Sequence, residues 1–262
     1  MSATDEVLFT VDDRVATITI NRPDKRNALN GAVISGLHRL LDEVSDRSDI
    51  GAAVLMGAGG TFCAGADLGS GLATEPMSFL DEHEGRGDYA RLLRHMNSCK
   101  KPILAAIEGY CLAGGMGLCL AADMVIAAEE AQFGTPEIKR GLWPYMVTAL
   151  LIRSVGRKKA LELCMVGDRI SAAEAQRIGL INYAVPAGEF QDRVHEMAAK
   201  LASYSPAIMG LGKASFYRIA DMSTEDALAY LQTQLTINAQ TEDVVEGIAA
   251  FFEKREPRWK GK

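Results

Sequence analysis

Residues 108–118, EGYCLAGGMGL, carry the pattern in this chain best suited to stabilising charge. They follow the apolar run IleLeuAlaAlaIle (103–107), which reads as a buried strand, and lead into LeuCysLeuAlaAlaAsp (118–123), which reads as a packed helix. Gly114, Gly115 and Gly117 crowd the join. Glycines at a strand-to-helix turn let backbone approach backbone or ligand closely, and the first N–H groups of the helix lack intrahelical partners. Such a terminus can hold developing negative charge. The same residues also fit ordinary tight packing of helix on sheet, with small side chains as spacers. The turn alone does not separate these readings.

The elements that position this turn are legible in order. Residues 7–11 and 15–21 alternate apolar and polar across AspAspArg (12–14), a strand–turn–strand signature closed by ArgPro at 22–23. The loop DKRNALN (24–30) brings Lys25 and Arg26 together, and Asn30 is placed to cap a helix over 31–45. Val33, Leu37, Leu40, Leu41 and Val44 give that helix one apolar face. AlaAlaValLeuMet (52–56) reads as a third strand, followed by a second small-residue loop, TFCAGADLGS (61–70).

Within 71–98, Tyr89, Leu92, Leu93 and Met96 recur at helical spacing, whereas 72–77 is expected to be mobile. MetValIleAlaAla (124–128) predicts another strand, and 131–146 a loop punctuated by Gly134, Pro136, Gly141 and Pro144. Helices are predicted over 147–155, 157–165, 172–178 and 190–203, and with interruptions over 207–256. The pattern predicts one α/β unit, core 1–200 and a helical extension 201–262 that serves assembly.

Composition narrows the function. The chain has 262 residues, enough for a full core, with 48% hydrophobic and 24% charged residues. A formal charge of −6 argues against nucleic-acid binding, which draws its affinity from cations on phosphate. The five cysteines show no metal-type pairing and read as buried thiols of a reducing compartment. No apolar run approaches membrane-spanning length, and the expected location is cytoplasmic.

Three separated stretches, TFCAGADL (61–68), KPILAAIEGYCLAGGMGL (101–118) and AQFGTPEIKRGLWP (131–144), together resemble the crotonase, or enoyl-CoA hydratase/isomerase, superfamily. NRPDKRNALN (21–30), VGDRISAAEAQRIGLIN (166–182) and AFFEKREPRWKGK (250–262) resemble it as well. The resemblance implies a crotonase-like spiral of ββα units with a helical C-terminal trimerisation region, assembled as a trimer or dimer of trimers. It implies an acyl-CoA thioester substrate and no separate cofactor, coenzyme A being part of the substrate. The oxyanion hole would be the backbone N–H groups of Ala66 and Gly114. Two preorganised donors are what an enolate-like thioester oxygen requires. Coenzyme A would lie along Lys25, Arg26 and Ala28, and along Ala64, Asp67, Leu68 and Gly69. Lys25 and Arg26 by themselves also read as a solvated basic turn. Phe251 and Lys254 match positions that reach a neighbouring subunit's coenzyme A.

One departure bears on the chemistry. Hydratases of the family use two glutamates, one in the helix of the glycine turn and one in a ProGlu loop. The second is Glu137, within GlyThrProGluIle (134–138); at the first, AlaGlyGlyMetGly (113–117) puts Gly117. Water addition divides its work between two groups, whereas one carboxylate can carry a proton between C2 and C4 of an enoyl chain. The resemblance therefore implies an isomerase before a hydratase, with Glu137 as the catalytic base. A carboxylate paired with Lys139 or Arg140, in a chain that only binds acyl-CoA, is the alternative. Tyr145, in TrpProTyrMet (143–146), is expected to line the acyl pocket. Glu108 reads as a buried structural hydrogen-bonder, and His83 as part of a solvated face.

Overall fold

β1 (Val7–Asp12) and β2 (Val15–Ile20) form an antiparallel hairpin whose turn residues, Asp13 and Arg14, both take positive φ. That geometry matches the twist of paired strands. Along β2 the side chains of Ala16, Ile18 and Ile20 are buried in alternation. The computed structural model describes residues 6–69 and 78–262. The expectation of mobility at 72–77 falls outside those residues.

After a 3-10 turn at Pro23–Lys25 comes α1 (Gly31–Asp46), capped as expected by Asn30, whose side-chain oxygen accepts from Val33 N at 2.8 Å. There follow β3 (Ala52–Gly57), α2 (Phe79–Ser98), β4 (Ile103–Ile107), β5 (Tyr110–Leu112) and α3 (Gly114–Ala121). Next are β6 (Met124–Ala128), β7 (Gln132–Gly134), a 3-10 turn at Pro136–Arg140, and α4 (Tyr145–Val166). β8 (Ile170–Ser171), α5 (Ala172–Arg177), β9 (Tyr183–Val185) and α6 (Ala187–Ala202) complete the core. The helical end is α7 (Pro206–Ile219), α8 (Thr224–Asn238) and α9 (Glu242–Glu253).

The main sheet runs β1-β2-β3-β4-β6-β9 and is parallel after its first pair; β5-β7-β8 form a smaller sheet. The apolar run of β4 is explained by burial on both faces. Ile103, Ala105 and Ile107 join the core beneath α1, α2 and α3, while Leu104 and Ala106 meet Phe190, Val194 and Met197 of α6. Continuous apolar sequence is the mark of a parallel strand covered on both sides.

Two differences from the sequence expectation concern the glycine turn. A strand, β5, intervenes after Gly109, and the helix begins at Gly114 itself. The helices expected at 147–155 and 157–165 are both present within α4, which is divided at Gly156 by a non-helical φ of 75° and ψ of 166°.

The helical end is tied to the core by one buried cation. Lys213 of α7 donates to Asp123 Oδ2 at 2.7 Å, to Met96 O at 3.0 Å and to Lys101 O at 3.1 Å. Asp123 also accepts from Ile103 N and from the Tyr217 hydroxyl. Removing one partner of such a pair leaves the other charge buried, so Lys213→Met is expected to lower the unfolding free energy by about 3–5 kcal/mol. Urea denaturation followed by fluorescence measures this, and a change below about 1 kcal/mol would contradict it.

Candidate active site

Parallel backbone pairing draws four loops to one place. Cys63 bridges Cys111, with Cys63 N donating to Tyr110 O and Leu112 N to Cys63 O. Leu29 bridges Ala66 in the same way, through Leu29 N to Gly65 O and Asp67 N to Leu29 O, both 2.8 Å. Ala64 N reaches Arg26 O at 3.0 Å, and Ala113 N reaches Gly134 O at 2.9 Å. The loops at 25–29, 61–69, 110–114 and 134–137 are thereby stitched together.

The two expected oxyanion donors meet at this junction. A side-chain carbon built on Gly114 would stand 3.7 Å from Ala66 N. Neither N–H is paired with a described residue. Gly114 opens α3, and its N-cap, Ala113, holds φ 51° and ψ −119° with no side-chain cap. The helix terminus thus keeps its partial positive charge for a ligand. Gly115 permits the close approach: a Cβ there would lie 2.5 Å from Cys63 O. The small residues serve packing and donor placement together.

Glu137 sits on the 3-10 turn after β7, where Pro136 starts the turn and Gly141 closes it. Its Oε2 is buried and has no hydrogen-bond partner among the described residues. Burial pushes the carboxyl above its ordinary pKa, opposed by a backbone hydrogen bond and by Arg140. The pairing with Lys139 does not occur, because Lys139 binds Asp168. A desolvated carboxylate with a free oxygen is equipped to take up a proton.

Gly117 is filled from outside its own helix. A Cβ there would lie 1.9 Å from the Tyr89 hydroxyl oxygen, which donates to Gly114 O at 2.5 Å. Sequence reasoning read Tyr89 only as part of the apolar face of α2. Its hydroxyl was the missed signal, since a buried phenol needs a polar partner.

The remaining expected residues divide into two groups. Lys25 and Arg26 are exposed beside the Ala64–Ala66 loop, and Arg26 lies over the Tyr110 ring with Arg169. Ala28 is buried in the loop that carries Lys25 and Arg26, and Leu68 and Gly69 are exposed. Asp67 is an ion-pair partner of Arg22 at 2.7 Å and also accepts from Gly69 N, so its carboxylate already has donors. Arg22 and the buried Asn27, which bonds Ala58 O and Thr61 O, are loop-holding residues that sequence reasoning left unassigned.

Tyr145 stands 76% exposed at the start of α4, not enclosed in a pocket. Phe251 and Lys254 lie on the outer surface of α9, which packs on α7. Glu108 is half-exposed, not buried as expected, and accepts from Gln191 of α6. His83 is exposed, as expected. Among the described residues no group of three or more His, Cys, Asp or Glu side chains is arranged to hold a metal ion.

Two substitutions test the donor at Ala66. Ala66→Pro removes the N–H and is expected to slow turnover by about 100- to 1,000-fold, whereas Ala66→Gly retains it and should be mild. Steady-state kinetics on variants shown to be folded by circular dichroism decide; equal effects would make Ala66 a packing residue.

The enoyl-CoA hydratase/isomerase family model matches residues 10–262. A probable mitochondrial enoyl-CoA hydratase of Dictyostelium discoideum is 34% identical over 95% of this chain and 88% of its own length. The 2,3-dehydroadipyl-CoA hydratase of Escherichia coli is 34% identical over 98% of this chain and 99% of its own. The crystal structure of an enoyl-CoA hydratase from Bacillus anthracis superposes with a TM-score of 0.92 at 31% identity, covering 98% of this chain and all of that one. With a family match over residues 10–262 and relatives of this similarity along nearly the whole chain, the chain belongs to the enoyl-CoA hydratase/isomerase family.

Proposed function

We propose that this family enzyme moves the double bond of an enoyl-CoA thioester from C3 to C2 through an enolate. The observation that carries the reading is the buried Oε2 of Glu137, which has no partner among the described residues, in a chain whose α3 holds glycine at 117, where the family resemblance gives a second carboxylate. Glu137 takes a proton from C2, and the electron pair runs onto the thioester oxygen, where Ala66 N and Gly114 N receive the charge. The carboxyl returns the proton to C4, and the pair reforms the double bond between C2 and C3. Atoms and charge balance with no further reagent. Lys25 and Arg26 offer cations to the nucleotide phosphates of coenzyme A, and Ala28, Ala64, Leu68 and Gly69 offer backbone along its arm.

Hydration is the second reading, and the names of the relatives favour it: those reported above are hydratases. A chain that only binds acyl-CoA would have no use for a desolvated carboxylate with a free oxygen, which costs stability. The assembly that suits the exposed Phe216, Leu235, Phe251 and Phe252, and an apolar cavity of about 690 Å³ between α7 and α9, is a homotrimer or dimer of trimers. The buried, unpaired cysteines suit a reducing compartment, the cytoplasm. No helix among the described residues is long and apolar enough to cross a membrane. Light scattering tests the assembly: truncation after Gly247 is expected to reduce the particle mass, and a fully active wild-type monomer would refute it.

Glu137→Gln is expected to reduce isomerisation by about 100- to 10,000-fold while acyl-CoA binding stays near normal. In deuterated water the wild type should retain part of the original proton in its product, because one carboxyl carries it both ways. Full activity of Glu137→Gln would overturn the assignment.

The pH dependence follows from the raised pKa. The base must be ionised, so kcat/KM should fall on acidification at a pH above the ordinary carboxylate range. The native chain also binds this proton more tightly than the unfolded one. That contribution to stability is complete below the unfolded pKa and is lost as pH rises through the raised value. Glu137→Gln should therefore melt higher than wild type at neutral pH and approach it in acid, as differential scanning calorimetry would measure.

A further inference from the structure

Three distances converge on the hydroxyl of Tyr89. It lies 1.9 Å from where a Cβ on Gly117 would stand, 2.5 Å from the Gly114 carbonyl that accepts its proton, and 3.7 Å from where a carbon on Gly114 would stand. That last point is also 3.7 Å from Ala66 N. The ring follows the hydroxyl into the gap, with Cζ 3.0 Å and Leu93 Cδ1 3.5 Å from the Gly117 position. One side chain from α2 therefore borders the oxyanion site and fills the place that the family resemblance gives to a second carboxylate.

We propose that Tyr89 sets the reaction specificity of the site, as a positioning residue that denies a water molecule its holder at Gly117 and fixes the first turn of α3 through Gly114. The inference rests on the isomerase reading and names what enforces it. Adding water to a 2-enoyl thioester breaks one O–H bond, joins the oxygen to C3 and puts a proton on C2. One group must receive the water's proton while another supplies C2. A phenol whose own proton is committed to Gly114 O receives a proton poorly. Burial holds Tyr89 neutral, and the neighbouring Cys63, Cys111 and Glu137 push its pKa in the same direction. The hydroxyl does assist the enolate route, because the peptide groups it anchors adjoin the N–H of Gly114.

The test compares wild type with Tyr89→Phe, Tyr89→Ala and the double variant Tyr89→Ala/Gly117→Glu, each shown to be folded by near-ultraviolet circular dichroism. The substrates are the 3-enoyl and 2-enoyl forms of hexenoyl-CoA, with products separated by mass in water enriched in heavy oxygen. Tyr89→Ala should raise the ratio of hydration to isomerisation by about tenfold, and the double variant should raise it further. Tyr89→Phe should lower kcat for isomerisation by about 3- to 10-fold at unchanged KM, the effect of one hydrogen bond felt in the transition state.

Folded alanine variants with the wild-type product ratio would overturn the assignment of Tyr89. Should the alanine variants unfold, an unchanged kcat in Tyr89→Phe overturns it instead. A wild type that hydrates the 2-enoyl ester without isomerising the 3-enoyl one would overturn the isomerase reading, a separate outcome.

Discussion

The candidate site depends on bringing together two backbone N–H groups, those of Ala66 and Gly114, that no described residue pairs. Buried amides are nearly always paired, and an unpaired one costs free energy comparable to a lost hydrogen bond. The fold holds the amides next to them in place. Leu29 and Asp67 hold the peptide on each side of Ala66, and Ala113 is anchored to Gly134 one residue before Gly114. Backbone strain at Ala113, a non-glycine residue at positive φ, persists because the surrounding bonds determine it.

Packing and electrostatics then act on the same few residues. Gly115 lets α3 press on Cys63, and Gly117 admits Tyr89, so small residues serve two different faces of that helix. Enclosure by apolar groups raises the pKa of Glu137 and lowers the local dielectric in which the donors act. The single carboxylate is thereby a stronger base than an exposed glutamate, and the donors are stronger than the same amides in water.

Much of this was legible in the sequence where neighbours along the chain decide the outcome. The alternation in β1 and β2, the Asn30 cap and the apolar run of β4 each follow from local pattern. The crowd of glycines and alanines at 113–117 and 63–66 marked two loops that the structure brings together. What escaped depended on contacts between distant segments. β5 has three residues and is a strand only because β7 and Cys63 lie alongside it. Asp67 looked like a free ligand until Arg22 was found against it, and Tyr89 looked like core until its hydroxyl met Gly114. The outward position of Tyr145 reflects the turn of the chain after Gly141, which the proline and glycine signals announced without giving its direction.

The stitching of four loops has a consequence for how the chain reaches its working state. Leu29, Ala66, Gly114 and Gly134 come from separate parts of the sequence, and the bridges among them close only when the parallel strands that carry them are in register. Contacts of large sequence separation form slowly, because loop-closure entropy is lost before they contribute. The helices α1 and α6 rest on hydrogen bonds local in sequence, whereas the juxtaposition of the Ala66 and Gly114 amides needs all of these bridges at once. A population that kept its helices but lost these bridges would keep its helical signal and lose that juxtaposition.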